Sequence, residues 1–195
     1  MNSAERRTPT VDPGEEAALV RLAQGGDHDA FTQVVRMHQR TVYRVAYALT
    51  RNAADADDLA QETFVRAYQA LERFRVGEPL QPWLVRITTN LAFSLFRRRR
   101  RRPESSLEAH AEAGAQWAVD DDPAEHAARS ERERRVQDAF GKLSEEHQAV
   151  LALRAVQDFS YEQIAVALRI PLGTVMSRLS RARAELKKKL QETQK

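Results

Sequence analysis

The sequence predicts an all-α protein built from two small helical domains joined by a flexible acidic linker. Three observations lead to this fold class. Apolar residues recur at helical spacing over residues 12–102 and again over 128–195. Between these regions, residues 104–128 contain seven acidic residues and no Lys or Arg. Near the C-terminus, a capped segment, a proline break and a longer amphipathic segment follow one another in the order of a helix-turn-helix.

Composition narrows the possible functions. The chain has no cysteine, which excludes disulfides and thiolate metal sites. Its five histidines are scattered without ligand spacing, so no metal site or cofactor is predicted. No apolar run approaches the ~18 residues of a membrane span. The N-terminal residues also lack the apolar segment of a signal peptide, which predicts no membrane span and a cytoplasmic protein.

Start signals and apolar faces predict the first two helices. Residues 1–11 are expected to form a disordered tail. Asp12 and Pro13 then open a short helix, which Gly25 and Gly26 end. A longer core helix follows from about Asp29. Its positions expected to face the core are Phe31, Val34, Val35, His38, Val42, Val45, Ala46 and Leu49.

The third predicted helix, capped by Asn52, has a buried seam and an acidic far face. The seam comprises Ala60, Phe64, Ala67 and Leu71. The far face presents Asp58, Gln61, Glu62, Val65 and Gln69. Asp58 and Glu62 lie one turn apart, but no histidine or second carboxylate pair is spaced to complete a metal or acid–base site. The face is therefore either solvated or a surface that docks a protein, since acid here would repel DNA.

A loop at Phe74–Pro79 and a basic helix opened by Pro82 and Trp83 come next. Positions expected to face the core are Leu84, Ile87, Thr88, Leu91 and Leu95. Positions expected to face outward are Arg86, Thr89, Asn90, Phe93 and Arg97. Six consecutive arginines, residues 97–102, end the helix. They are either a solubilising tail, favoured at a helix C-terminus, or a site for phosphates that would relieve their mutual repulsion.

Residues 103–127 are predicted to be the linker, because acidic and small residues are frequent and apolar residues are sparse. Trp117 is the exception and is a candidate anchor. A charged helix then starts at Pro123, and Ser144 caps the next one. These two helices are expected to buttress the segment that follows them.

The stretch from Phe159 to Leu190 is predicted to be the helix-turn-helix. Ser160 and Gln163 form a capping box for its first helix, and Pro171 forces a break. The apolar seam of the second helix is Val175, Leu179, Ala182 and Leu186. Its opposite face offers Ser177, Ser180, Arg181, Ala184 and Lys187. Small and basic residues suit the major groove of DNA, although a plain helical hairpin with a solvated basic face has the same pattern.

Two parts of the chain resemble bacterial sigma factors. The residues Phe159–Ala165, Ile170–Val175 and Ser177–Arg183 resemble the fourth conserved sigma region, and most closely that of the extracytoplasmic-function (ECF) group. The residues Asp55–Tyr68 resemble the second conserved region. Three positions depart from the family pattern: Arg169, where glycine is frequent in the turn, Met176, where basic residues are frequent, and Ser94, where aspartate is common.

The resemblance implies roles for particular residues. Those expected to contact the clamp helices of RNA polymerase are Asp55, Asp58, Gln61, Glu62 and Val65. Those expected at the minus-ten promoter element are Phe74, Arg75, Arg86, Asn90, Arg97 and Arg98. Those expected at the minus-thirty-five element are Thr174, Met176, Ser177, Arg178, Ser180, Arg181 and Arg183.

By this resemblance the protein is expected to be a non-enzymatic sigma factor that directs promoter-specific initiation, for a stress or envelope-response regulon. Its implied partners are core RNA polymerase, at the clamp helices and flap, promoter DNA and an anti-sigma factor, with no small-molecule substrate. The alternative is a stand-alone helix-turn-helix regulator whose N-terminal helices bind a partner. A helical hydrolase lacks any convergent cluster of catalytic residues. The arrangement of the two domains stays open at this level.

Overall fold

A computed structural model describes residues 12–101, 123–156 and 159–192, and within these ranges every regular element is helical. The α-helices are α1 Pro13–Gln24, α2 His28–Thr50, α3 Ala53–Ala70, α4 Leu80–Arg101, α5 Pro123–Gly141, α6 Glu145–Ala155, α7 Tyr161–Leu168 and α8 Leu172–Glu192. A 3-10 turn, Leu71–Arg73, follows α3. The all-α class and the C-terminal helix-turn-helix are confirmed. The expected tail and Trp117 lie outside the described residues.

Side-chain caps begin α1, α2 and α3 at or next to the residues predicted from sequence. The carboxylate of Asp12 accepts a hydrogen bond from the Gly14 amide at 2.9 Å, and the Asn52 side chain accepts one from the Asp55 amide at 3.0 Å. The second helix starts at His28, slightly before the expected Asp29. It does so because Asp27 is the cap and accepts a hydrogen bond from the Ala30 amide at 3.0 Å.

A buried ion pair ties α1 to α2 and α4. One carboxylate oxygen of Glu16 lies 2.8 Å from Nε2 of His38, whose side chain is only 3% exposed. The other oxygen accepts the Leu80 amide at 3.2 Å, at the start of α4. Burial acts to raise the pKa of Glu16, but the hydrogen bonds from His38 and Leu80 and the charge of His38 hold that pKa below its usual 4.5.

The C-terminal helices pack directly on the N-terminal ones. In this arrangement α6 packs on α2, and α7 packs on α4. A single apolar cluster therefore runs through both halves of the chain, from Val45 and Val85 to Leu153, Ile164 and Leu179. The arrangement of the two modules, which the sequence left open, is closed in this structure.

The Glu16 ion pair predicts a pH-dependent contribution to stability. Glu16→Gln should lower the free energy of unfolding at pH 7 by about 1.5–3 kcal/mol, because a charge-assisted buried hydrogen bond is lost. The pKa of Glu16 is depressed in the folded state, so this contribution is complete above pH 4.5 and is lost as the pH falls further. Urea unfolding from pH 3 to 7 measures it, with Glu15→Gln, in the exposed first turn of α1, as the matched control. A constant gap between wild type and Glu16→Gln down to pH 3 would contradict this account.

Candidate nucleic-acid interface

The far face of α3 is exposed and mixes acid with apolar surface. Asp58 and Gln61 are exposed, and Val65 is 50% exposed. Glu62 receives a hydrogen bond from Arg66 one turn later, at 2.6 Å. Tyr68 extends the patch, with 38% of its surface exposed and its ring packed edge-on against Phe31 at a centroid distance of 4.9 Å. An exposed apolar centre rimmed by carboxylates suits a protein partner and repels DNA phosphates.

Asp55 has a different environment from the other acidic residues of α3. Its two carboxylate oxygens accept hydrogen bonds from Arg99 at 2.6 and 2.7 Å, which joins the start of α3 to the end of α4. The hydrogen bonds that Arg99 donates to Asp55 raise the pKa of Arg99; partial burial opposes this rise, and the charge of Asp55 supports it. This bidentate pair neutralises one cation of the arginine run. Local sequence patterns did not predict this pairing, since the two residues lie 44 positions apart along the chain.

The loop between α3 and α4 is held at its start by a residue from α1. The side-chain amide of Gln24 donates to the carbonyls of Leu71 and Phe74, at 2.9 and 2.8 Å. The rings of Phe74 and Trp83 pack with their centroids 4.9 Å apart. The loop reverses at Gly77, whose φ of +94° favours glycine. The Phe74 and Trp83 rings therefore share one half-buried site. Gln24 supports this loop, and the sequence analysis did not predict that role.

The outward face expected for α4 is largely covered. Thr89 and Phe93 were expected to face outward, and this is wrong: they are 3% and 9% exposed. The reason is that α7 packs on α4, and Phe93 joins the shared apolar cluster. Asn90 stays exposed, and Arg86 is half-buried.

An ion pair bridges the two modules beside this face. The Arg97 guanidinium donates to the Glu145 carboxylate at 2.8 Å, from the end of α4 to the start of α6. Arg98 is exposed, as is Arg75 in the preceding loop. The residues predicted for the minus-ten element are thus divided: some are open to solvent, and others contact the C-terminal helices.

The helix-turn-helix has the predicted local geometry. Both hydrogen bonds of the capping box are present, from the Gln163 amide to Ser160 Oγ at 3.2 Å and from the Ser160 amide to Gln163 Oε1 at 2.7 Å. Arg169 ends α7 in the left-handed conformation, with φ 53° and ψ 46°. A non-glycine residue in this conformation costs about 1 kcal/mol.

Along α8, the predicted minus-thirty-five residues fall into two groups. Met176 is 49% exposed, and Ser180, Arg181 and Arg183 are exposed. The other group is half-buried. Ser177 donates its hydroxyl to the Thr174 carbonyl at 3.1 Å, and Arg178 lies 3.0 Å from Glu146 of α6. The exposed group is the part of α8 that can reach a groove without first breaking a contact.

The part of the chain that the structure describes holds no group of three or more side chains able to bind a metal ion. Within the same ranges, no helix combines the length and the apolar character needed to cross a membrane. An all-α fold that ends in a basic helix-turn-helix is typical of DNA-binding transcription proteins.

Comparison with protein families assigns both halves of the chain. The model "Sigma-70 region 2" matches residues 34–102, and the model "Sigma-70, region 4" matches residues 133–186. Together these matches cover more than half of the chain, and the protein belongs to the sigma-70 family as an ECF RNA polymerase sigma factor. The stand-alone regulator is not favoured, because the N-terminal helices match a sigma region as well.

Curated relatives cover nearly the whole chain. The ECF sigma factor SigW of Bacillus subtilis is 32% identical over 181 residues, covering 89% of this chain and 95% of that protein. The sigma-H factor of Pseudomonas aeruginosa is 37% identical over 182 residues, covering 91% and 94% respectively. The ECF sigma-E factor of Haemophilus influenzae is 37% identical over 183 residues, covering 90% and 95%.

Two solved structures share the arrangement of helices. CnrH, solved in complex with the cytosolic domain of CnrY, aligns with a TM-score of 0.65 and 29% identity, covering 91% of this chain and 98% of that one. The sigma factor RpoE of Bartonella quintana, solved with the anti-sigma factor NepR, aligns with a TM-score of 0.60 and 28% identity, covering 83% and 96%.

Phe93 is predicted to hold the two modules together more strongly than the Arg97 ion pair does. Losing a buried Phe side chain costs about 1.5–3 kcal/mol, whereas an exposed ion pair contributes about 0.2–1 kcal/mol. Phe93→Ala should therefore raise the open fraction by roughly 10-fold or more, and Arg97→Ala by about fivefold at most. Because the chain has no cysteine, spin labels can be placed on cysteines introduced at the exposed Gln69 and Lys187.

The distance distribution between these labels measures opening. Val136→Ala, which truncates a partly exposed apolar residue on α5, is the control and should leave the distribution unchanged. If Phe93→Ala gave the same distribution as wild type, the closed arrangement would not depend on this contact.

Proposed function

We propose that this sigma factor docks on core RNA polymerase through α3 and reads its promoter with α4 and α8. The observation that supports this proposal is the segregation of charge among exposed side chains. Acid and apolar surface occupy α3 around Val65, while exposed arginines occupy α4 and α8. A polyanion such as DNA is attracted only to the second kind of surface, which leaves α3 for a protein.

Within this proposal the domains keep the boundaries expected from sequence. Residues 12–102 form the polymerase-docking and minus-ten module, 103–127 the linker, and 128–195 the minus-thirty-five module. Of the polymerase set, Asp58, Gln61, Glu62 and Val65 make the direct contacts. Asp55 acts indirectly, because its pair with Arg99 fixes the end of α4 relative to α3.

At the minus-ten element, Phe74 and Arg75 of the loop and Asn90, Arg97 and Arg98 of α4 receive the unpaired strand. Stacking on an aromatic ring stabilises a base by about 1–3 kcal/mol, which offsets part of the cost of unpairing it. In the closed arrangement Arg97 is bound to Glu145, so Arg97 becomes available to DNA only when the modules separate, whereas Arg75, Asn90 and Arg98 are already exposed. We infer that docking on polymerase separates the modules, because each module reads a different promoter element and both must be held at their own element at the same time.

Further expectations follow from the same assignment. The protein contributes binding and positioning to initiation and performs no catalysis of its own. It acts in the cytoplasm, where polymerase and promoters are. Two structural neighbours were solved with a bound protein partner, and the partner in one of them is named an anti-sigma factor. Their likeness supports a comparable partner for this chain, which would hold it away from polymerase.

The polymerase contact is tested by charge reversal on α3. The double variant Asp58→Lys, Glu62→Lys should lose most of its affinity for core polymerase, because two carboxylates at the rim of this surface become cations. Co-elution with core enzyme on size-exclusion chromatography measures this loss. The matched control is Asp138→Lys, an exposed carboxylate on α5, which should bind as wild type does. Undiminished assembly of the double variant would overturn the assignment of α3.

The DNA contact of α8 is tested at Arg181, which is exposed and lies on the face opposite the buried seam. Arg181→Ala should reduce run-off transcription at the promoter most induced by overexpression of the protein. A lost arginine–base contact is worth about 1–3 kcal/mol, or roughly 5- to 150-fold. Arg132→Ala, on the exposed side of α5, is the control. The defect should vanish on a promoter whose minus-thirty-five element is scrambled, and a defect that persists there would place the role of Arg181 elsewhere.

A further inference from the structure

A cleft between the two modules is lined by basic and aromatic side chains. Its volume is about 730 Å³, and its walls come from the loop before α4, the start of α4 and the C-terminal end of α7. Four arginines line it, Arg73, Arg75, Arg86 and Arg169, against the single carboxylate of Glu78. The volume lies within the roughly 300–1,000 Å³ of typical small-molecule sites.

Arg169 is the unusual member of this set. It occupies a left-handed backbone position, φ 53°, where glycine would be free of strain, and yet it brings a cationic side chain to the cleft. Backbone strain that persists at the wall of a cavity points to a use for the side chain that carries it. This residue belongs to neither of the DNA-contact sets.

Arg86 of α4 and Arg169 at the end of α7 line the same cleft as like charges. Burial and the neighbouring Arg169 cation lower the pKa of Arg86. Within the described ranges, no carboxylate forms an ion pair with either guanidinium. Closing the two modules therefore brings two uncompensated cations together, which an anion between them would turn into an attraction.

The cleft also has apolar surface suited to a flat ring. The Phe74 and Trp83 rings pack at one wall, with centroids 4.9 Å apart, and Val166 of α7 lies in the other wall with 57% of its surface exposed. Aromatic side chains of this kind stack on nucleobases without regard to base identity. Guanidinium groups beside an aromatic wall are the combination that binds a phosphorylated nucleotide.

We propose that this cleft binds a nucleoside polyphosphate, with the phosphates between Arg86 and Arg169 and the base against the Phe74–Trp83 wall. Because the walls come from both modules, the ligand binds the closed arrangement better than the open one and shifts the protein toward it. Binding of a small anion at this site would therefore reduce the fraction of protein in which the covered face of α4 is exposed. This binding goes beyond the proposed function and is measured on the free protein, so its outcome does not depend on how the protein contacts polymerase.

The experiment is isothermal titration calorimetry of the full chain with ATP, GTP and inorganic pyrophosphate, at fixed ionic strength and without magnesium. The nucleotides should bind saturably, one per chain. They should bind at least about fivefold more tightly than pyrophosphate, because stacking of the base adds to the phosphate contacts. Equal affinity for pyrophosphate and nucleotides would overturn the part of the proposal that concerns the base. Absence of saturable nucleotide binding would overturn all of it.

Two matched variants separate the site from general charge effects. Arg169→Gly should weaken nucleotide binding by at least about tenfold, since a charge-assisted phosphate contact is lost. Arg51→Gly removes the same side chain from the other left-handed non-glycine position, φ 54°, at the end of α2 and away from the cleft. It should bind nucleotide as wild type does. Arg169→Gly relieves backbone strain and should melt at or above the wild-type temperature. Arg51→Gly also loses the contact of Arg51 with the Tyr47 ring, and its melting temperature checks that this control is folded.

Two readouts complete the test. If the Arg169→Gly protein bound nucleotide as tightly as wild type does, the proposed nucleotide site would be refuted. A single-stranded DNA oligonucleotide should bind Arg169→Gly and wild type equally. If both ligands were weakened together, the cleft would instead be part of a DNA path. Adding ATP should also narrow the distance distribution between labels at positions 69 and 187 in wild type and leave that of Arg169→Gly unchanged.

Discussion

Apolar packing between the two halves of the chain is the constraint on which the rest of this structure depends. One cluster of buried side chains runs from α2 and α4 into α6, α7 and α8. Burial of a single Phe or Leu side chain outweighs any exposed ion pair, so this packing sets the arrangement, and the Arg97–Glu145 pair follows it. Phe93 shows the consequence, because a residue on the side of α4 that we propose to face DNA is buried against the C-terminal helices.

The closed arrangement is incompatible with the proposal that α4 and α8 contact the two promoter elements at the same time. The same α4 face that would receive a DNA strand carries contacts to α6 and α7. The protein therefore holds the α4 surface that we propose for DNA partly covered, while the far face of α3 and the outer side of α8 stay exposed. A surface that is free in the closed state can make the first contact with a partner, and the covered surface is exposed only if that contact supplies the energy of separation.

Electrostatics adds a second constraint on the same interface. Several ion pairs within the described ranges join residues far apart in sequence, such as Arg99 with Asp55 and Arg178 with Glu146. Each of these two pairs removes one arginine from the set that is free to meet phosphates. Arg86 and Arg169 line one cleft as like charges, and within the described ranges neither forms an ion pair with a carboxylate. The cleft around them is the place where the closed state is electrostatically incomplete.

The sequence by itself determined the helices, their caps and the helix-turn-helix, because these rest on interactions between residues two to four positions apart. The capping box at Ser160 and Gln163 and the end of α7 shortly before Pro171 are of this kind. It also determined the acidic face of α3, since helical periodicity separates an exposed face from a buried one. Family resemblance supplied the candidate contact residues, and most of those predicted on α3 are exposed.

Only the tertiary structure decided which of those residues are available. Thr89 and Phe93 follow an outward-facing pattern within α4, yet they are buried, because the surface that covers them comes from helices 50 or more residues later in the chain. Asp55 and Arg99 pair across 44 positions, and Gln24 supports a loop 50 positions away. Periodicity reports how a helix divides into faces, but which face meets solvent depends on where distant segments pack, and local spacing does not encode that.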